Sequence, residues 1–289
     1  MKSIQFYILD VFAETKYAGN QLAVFTDCDS LSTTQMQKIA REINFSETSF
    51  IFNKQESPAY PARIFTPNSE IPFAGHPTLG TAYIIQQELE DNLIDSITLD
   101  LQVGTIPVVF KQNEAWMSQN PPTFGQCFEP NVLAEVLNIS EEDIDTNYPI
   151  QEVSTGFPAI IIPIKSLQSV QKCRINQEKY AAFIENVKAN ILVFTPETVH
   201  KENNLHVRVF CDYFGFPEDP ATGSGSGNLA SYLLEHNYLD SQYINLSIEQ
   251  GYEMNRPSKL LIKASKNLEQ FSIEVGGNIQ LVAKGEWFV

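Results

Sequence analysis

EDPATGSGSGNLASYLLEH, residues 218–236, is the stretch on which the reading of this chain turns. Two carboxylates and a proline precede three alternating glycines, Gly223, Gly225 and Gly227, and an apolar pattern with helical spacing follows at once. The first turn of an α-helix presents N–H groups with no intrahelical acceptor, and the macrodipole adds about half a positive charge there. Glycines leave the peptide surface bare, and Ser224 and Ser226 add donors, so the segment reads as an anion cradle. The other reading is that the glycines serve close helix packing or a tight turn.

A phosphate loop would need G-x-x-x-x-G-K-[ST], a dinucleotide fold G-x-G-x-x-G after an early strand, and neither spacing is present. Glu218 and Asp219 would also repel a doubly charged phosphate. A single carboxylate fits the cradle better.

Working outward, HVRVF at 206–210 leads through Glu218, Asp219 and Pro220 to Thr222-Gly223 and a helix. Earlier in the chain, ARIF at 62–65 leads through Glu70 and Pro72 to Ala74-Gly75 and another helix, GHPTLGTAYIIQQEL. YAGNQLAVF and STGFPAIII each place a glycine just ahead of a strand. Three matches in one order point to an internal duplication, against the alternative that strand–turn–helix units simply recur in α/β proteins. Other elements read directly: a helix after Ser32 with a capping box to Gln35 and a stop at Asn44, strands at TSFIF and NILVF, two strands in SITLDLQVGTIPVVF, one strand over QEVSTGFPAIIIPI, and a helix around KYAAFIENV. The proline-rich NPPTFGQCFEP marks a domain boundary near Asn120.

With 289 residues the chain exceeds what one core usually serves, so two domains are expected. A net charge of −16 disfavours nucleic acid and anionic lipid as partners but leaves room for a small anion held by backbone N–H groups. Cys28, Cys127, Cys173 and Cys211 form no C-x-x-C pair, and no histidine stands at zinc-ligand spacing. They read as free thiols in a reducing compartment. MKSIQFYILD reaches Asp10 before a signal-length apolar core forms, and PAIIIPI is far too short for a membrane span, so a cytoplasmic location is expected.

Two titratable groups stand out. His76 follows Gly75, with Pro77 expected at the first helical position; it is either a proton carrier near neutral pH or a capping residue. Glu47, in NFSETSFIF, lies between a helix end and a strand start among Phe45, Phe50, Ile51 and Phe52. Pointing inward, it would have a pKa raised toward general acid–base use; pointing outward, it is a solvated loop carboxylate. His200, His206 and His236 have no comparable setting and are assigned no role.

These residues together resemble the PhzF family, the phenazine biosynthesis-like proteins related in fold to diaminopimelate epimerase. The resemblance rests on NFSETSF around Glu47, FTPNSEIPFAGHPTLG with Gly75 and His76, and PEDPATGSGSGN with Asp219 and Ser224, supported by TGFPAIIIP and EQGYEMNRPS. It implies an α/β (α+β) fold of two pseudo-symmetric diaminopimelate epimerase-like domains, each a mixed β-sheet curled around a central helix. The first domain would take residues 1–119 and a C-terminal strand at about 279–289, the second residues 120–278. The active site would occupy the cleft between them. It further implies a homodimer with no cofactor and no metal, acting on a small carboxylic acid. By matching position, Glu47 is the proton-transferring carboxyl and His76 and Asp219 shape the proton path. Gly75, Pro77, Thr78, Gly223, Ser224 and Gly225 form the substrate-binding set.

Epimerases of this fold use one cysteine in each glycine turn, whereas AGHPT and TGSGSG contain none, so a two-thiol racemisation is not expected. A single carboxyl isomerising a cyclic or unsaturated acid fits what remains. A catalytically silent carboxylate-binding protein and a non-thiol epimerase or racemase are the rival readings. Loops such as PNSEIPF and CDYFGFPED are expected to set specificity.

Overall fold

A computed structural model of the chain describes residues 3–54, 57–185, 187–212 and 216–289. It divides into two compact units, Met1–Ser118 with Gly276–Val289, and Gln119–Val275.

The first unit contains β1 (Ser3–Val11), β2 (Asn20–Phe25), α1 (Thr33–Ile43), β3 (Glu47–Ile51), β4 (Tyr60–Phe65), β5 (Glu70–Ile71), α2 (Gly75–Ile84), β6 (Ser96–Leu101), β7 (Gly104–Lys111) and β8 (Glu114–Ser118). The second contains β9 (Thr123–Phe128), α3 (Pro130–Leu137), β10 (Ile150–Ser154), β11 (Pro158–Pro163), α4 (Leu167–Lys172), α5 (Gln177–Ile184), β12 (Asn190–Thr195), β13 (Leu205–Phe210), β14 (Glu218–Asp219), α6 (Gly223–Glu235), β15 (Tyr243–Gln250) and β16 (Ser258–Asn267). The last strand, β17 (Gln270–Phe288), starts in the second unit and ends in the first.

The duplication is visible in the strand pairing. In the first unit β1 pairs antiparallel with β17 and β2, β2 runs parallel to β3, β3 pairs antiparallel with β4, and β4 runs antiparallel to β5 and parallel to β6. In the second, β10 pairs antiparallel with β9 and β11, β11 runs parallel to β12, β12 pairs antiparallel with β13, and β13 runs antiparallel to β14 and parallel to β15. The orders of strand pairing coincide. Register then equates individual residues: Phe50↔Arg63 corresponds to Val193↔Arg208, Phe65↔Glu70 to Phe210↔Glu218, and Leu22↔Glu47 to Ala159↔Asn190.

Side chains repeat the correspondence. Arg63 donates from Nε and Nη2 to the two carboxylate oxygens of Glu70, at 2.7 and 2.5 Å. Arg208 does the same to Glu218, at 2.8 Å for each bond. Each guanidinium also lies over a phenylalanine ring two residues on, Phe65 at 5.2 Å and Phe210 at 4.8 Å. A bidentate Arg–carboxylate pair fixes the angle between two strands better than a point charge would, which suits a short strand that must deliver the next helix.

In each unit the sheet wraps a helix. β7 continues to β8, and β8 pairs with β17, closing the first sheet on itself. Inside lies α2, almost wholly buried. Apart from His76 and Tyr83 it is apolar or small-polar all round, as suits a helix enclosed by strands. In the second unit α6 is similarly buried and packs on β10, β11, β15 and β16. Outer faces carry separate cores: Phe25, Phe50 and Phe65 pack with Met36 and Ile39 of α1, and Ile160, Ile162, Val193 and Phe210 pack with Leu133 and Leu137 of α3. Strands buried on both faces read as near-continuous apolar runs, which β11 and β12 illustrate.

Two sequence expectations change. The single strand over QEVSTGFPAIIIPI is an antiparallel pair, β10 and β11, broken where Gly156 takes a φ of +147°, a conformation that side chains oppose. Pro77 is the third residue of α2 rather than the first, because the helix starts at Gly75 with Ala74 as its N-cap. The capping box at Ser32 and Gln35 and the left-handed stop at Asn44 form as expected.

Candidate active site

In the first unit α1 ends at Asn44, and the chain turns back into β3, so that Glu47 opens that strand beside Leu22 of β2. His76, the second residue of α2, is 6% exposed; its Nε2 lies 3.3 Å from the Gln21 carbonyl and 3.5 Å from Glu47 Oε2. Two residues far apart in sequence are thus adjacent. The Glu47 side chain is 13% exposed, and its Oε2 is buried without a hydrogen-bond partner among the described residues. Burial pushes the Glu47 pKa up to about 7, with the Ser46 hydroxyl pulling weakly the other way. Such a carboxyl is present in both protonation states at neutral pH and can take or give a proton. Of the two readings open from sequence, the inward one holds.

At the start of α2, Thr78 is buried, and both its N–H and its hydroxyl donate to the Ala74 carbonyl, at 3.2 and 2.7 Å. Its polar groups therefore cap the helix. Pro77 brings no N–H, which leaves Gly75 and His76 as the backbone donors of the first turn.

In the second unit Asp219 lies in β14 and Gly223 is the first residue of α6, with Thr222 as N-cap. The turn between them is held by Gln250 at the end of β15. Gln250 Nε2 donates to the Asp219 carbonyl at 2.7 Å and to Thr222 Oγ1 at 3.0 Å, while its Oε1 accepts from the Thr222 N–H at 3.2 Å. With its lone pair engaged by the amide, the Thr222 hydroxyl donates to Asp219 Oδ2 at 2.6 Å. Gln250 thus decides the direction of the hydroxyl proton and, through it, the orientation of the Asp219 carboxylate. Gly223 and Gly225 are buried and Ser224 between them is partly exposed, so its side chain is the accessible one of the first turn. Sequence reading singled out neither Thr222 nor Gln250; EQGYEMNRPS carried Gln250 only as a family marker.

His206, assigned no role, is fully buried between Glu249 and Glu253, with Nδ1 at 2.8 Å and Nε2 at 3.1 Å from their carboxylates. Burial alone would lower its pKa, but the two carboxylates more than offset that and raise it. The arrangement ties β13 to the end of β15 and the turn that follows it. His236 Nε2 lies 2.8 Å from Gln151 Oε1. Burial pushes the Cys28 and Cys173 thiols up to about 12, and both lie in hydrophobic clusters. Among the described residues, no group of three or more His, Cys, Asp or Glu side chains is arranged to hold a metal ion, and no helix is long and apolar enough to cross a membrane. Tyr213, Phe214 and Gly215 of the CDYFGFPED loop lie outside the described residues.

The family model for phenazine biosynthesis-like proteins, PhzC-PhzF, matches residues 9–285. An uncharacterized isomerase of Clostridium acetobutylicum is 33% identical over 99% of this chain and 98% of its own length. A trans-2,3-dihydro-3-hydroxyanthranilate isomerase of Pseudomonas aeruginosa is 31% identical over 99% of each chain. The crystal structure of a PhzF-family phenazine biosynthesis protein from Bacillus anthracis superimposes with a TM-score of 0.90 at 28% identity, covering 100% of both chains. With the duplicated closed fold and its glycine-led central helices, these matches identify the chain as a member of the phenazine biosynthesis-like (PhzC-PhzF) family and an isomerase.

Proposed function

We propose that this isomerase moves a proton within a small cyclic or unsaturated carboxylic acid, without a cofactor, using Glu47 as its single acid and base. The observation that carries the reading is the buried Oε2 of Glu47, without a hydrogen-bond partner among the described residues, on a carboxyl whose pKa is pushed up to about 7, 3.5 Å from His76 Nε2.

In this reading each glycine-led helix start is a substrate-binding element. The start of α6 offers a substrate carboxylate the N–H groups of Gly223, Ser224 and Gly225 and the Ser224 hydroxyl, and the start of α2 offers the Gly75 and His76 N–H groups with Pro77 and Thr78 beside them. Each helix-start contact supplies about 0.3–1 kcal/mol and orients more than it activates. Glu47 as carboxylate removes a proton from an activated carbon. The C–H electron pair enters the conjugated system and the double bond shifts. The newly formed acid returns its proton to a distant carbon on the same face, with His76 and Asp219 steering the path. The position equivalent to Glu47 in the second unit is Asn190, an amide that cannot exchange protons in this way, which favours one-sided transfer over two-base racemisation. The same reading has the chain working as a cytoplasmic homodimer.

The test is to offer trans-2,3-dihydro-3-hydroxyanthranilate and related cyclic acids in D₂O and follow isomerisation and deuterium incorporation by NMR. Wild type should isomerise at least one of them, and Glu47→Gln should lose about 10²–10⁴ in rate. Saturable binding without exchange or turnover would make the protein a binder, and inversion at one carbon would make it an epimerase; either outcome refutes the proposal.

A further inference from the structure

The correspondence between the units raises a question about the second one. Glu47 opens β3 and reaches the start of α2. Its register equivalent, Asn190, opens β12 in the unit whose central helix is α6. Asn190 is 8% exposed, and its side-chain oxygen is buried with no hydrogen-bond partner among the described residues. A buried amide oxygen left unpaired is costly, and natural structures keep few of them without a reason.

Its direction follows from the strand. Side chains two residues apart share a face, so Asn190 points to the same side of the sheet as Leu192. Leu192 Cδ1 lies 3.3 Å from the position a Cβ on Gly225 would occupy, which places that face against the first turn of α6. The first unit shows which end of the strand meets the helix start, because Glu47 there lies 3.5 Å from His76, the counterpart of Ser224. Asn190 therefore directs this acceptor toward the first turn of α6, where the N–H groups of Gly223, Ser224 and Gly225 lie.

We propose that Asn190 is a substrate-binding residue whose side-chain carbonyl accepts a hydrogen bond from an N–H or O–H of the bound acid, so that the site selects amino- or hydroxy-substituted carboxylic acids over plain ones. The carboxylate satisfies the helix N–H groups, and the adjacent donor satisfies Asn190. The inference rests on reading the α6 start as the carboxylate cradle.

Isothermal titration of wild type and Asn190→Leu with 3-hydroxyanthranilate and with benzoate tests it, since the second ligand lacks both donors. Wild type should prefer 3-hydroxyanthranilate by about tenfold, the value of one satisfied buried acceptor. In Asn190→Leu that preference should vanish while benzoate affinity stays within about twofold, because only the acceptor is gone. The melting temperature of the ligand-free variant should equal or exceed that of wild type, as removing an unpaired polar group predicts; a purely structural Asn190 would give a drop. Equal weakening of both ligands, a retained preference or a lower melting temperature overturns the inference and leaves the cradle standing. Failure of both acids to bind wild type overturns the cradle and the inference together.

Discussion

Replacing Glu47 by Gln should stabilise the protein in a pH-dependent way while removing its activity. Burial holds the folded-state pKa at about 7 against an ordinary value of 4.5, so the effect on stability depends on where the pH lies relative to both. Below the ordinary value the group is protonated whether the chain is folded or not, and it contributes nothing. Between the two values the unfolded chain ionises and the folded chain resists, so each pH unit costs the folded state about 1.4 kcal/mol. Above about 7 the penalty levels off at about 3 kcal/mol. Gln is neutral throughout and escapes it. Thermal melts of both proteins followed by circular dichroism at pH 4, 6 and 8 provide the assay. At ~2–4 °C per kcal/mol for a chain of this size class, Glu47→Gln should melt roughly 6–12 °C above wild type at pH 8. The two should coincide at pH 4. A gap that does not change with pH, or a variant that melts lower at pH 8, would refute the claim that this carboxyl is held uncharged by its surroundings.

Further expectations concern the duplicated clamps, the buried histidine and the first central helix. Arg208→Met leaves the Glu218 carboxylate without its guanidinium partner and takes one of the donors from the carbonyls of Val170 and Cys173, and should cost about 3–5 kcal/mol in urea unfolding. Arg63→Met, at a clamp whose arginine side chain is 28% exposed, should cost only about 1 kcal/mol by the same measurement. For His206→Gln, the stability lost relative to wild type should be greatest between the lowered pKa values of Glu249 and Glu253 and the raised pKa of His206, and should shrink on either side. Urea midpoints across pH 3 to 9 would show that window or its absence. Gly80→Ala would place a Cβ 2.4 Å from Leu22 Cδ2 inside the first sheet and should cost about 1–3 kcal/mol, read from the melting temperature.

Much of this was legible in the sequence because the duplication leaves local marks. The matched Arg63 and Arg208, Glu70 and Glu218, and Gly75 and Gly223 all follow from residue types in order, and the structure turns them into equivalent clamps and helix starts. Glu47 and His76 could be picked out singly, but their proximity depends on a parallel strand pair and a helix entering beside it, which no local pattern encodes. Gln250 and Asn190 were missed for a related reason. Each is one polar side chain in an otherwise ordinary strand sequence, and only register sets Gln250 against the turn at Thr222 and Asn190 at the position equivalent to Glu47. His206 carries no local signal because its partners are 43 and 47 residues away. The break in QEVSTGFPAIIIPI was hidden by apolar residues on both sides of Gly156, where a strand buried on two faces shows no alternation to mark its end.

The central claim is that Glu47 holds its proton until neutral pH, and a carbon-13 NMR titration of protein labelled at the glutamate carboxyls measures this directly. The resonance that disappears in Glu47→Gln should titrate with a midpoint near 7 in wild type, and a midpoint near the ordinary 4.5 would contradict the account.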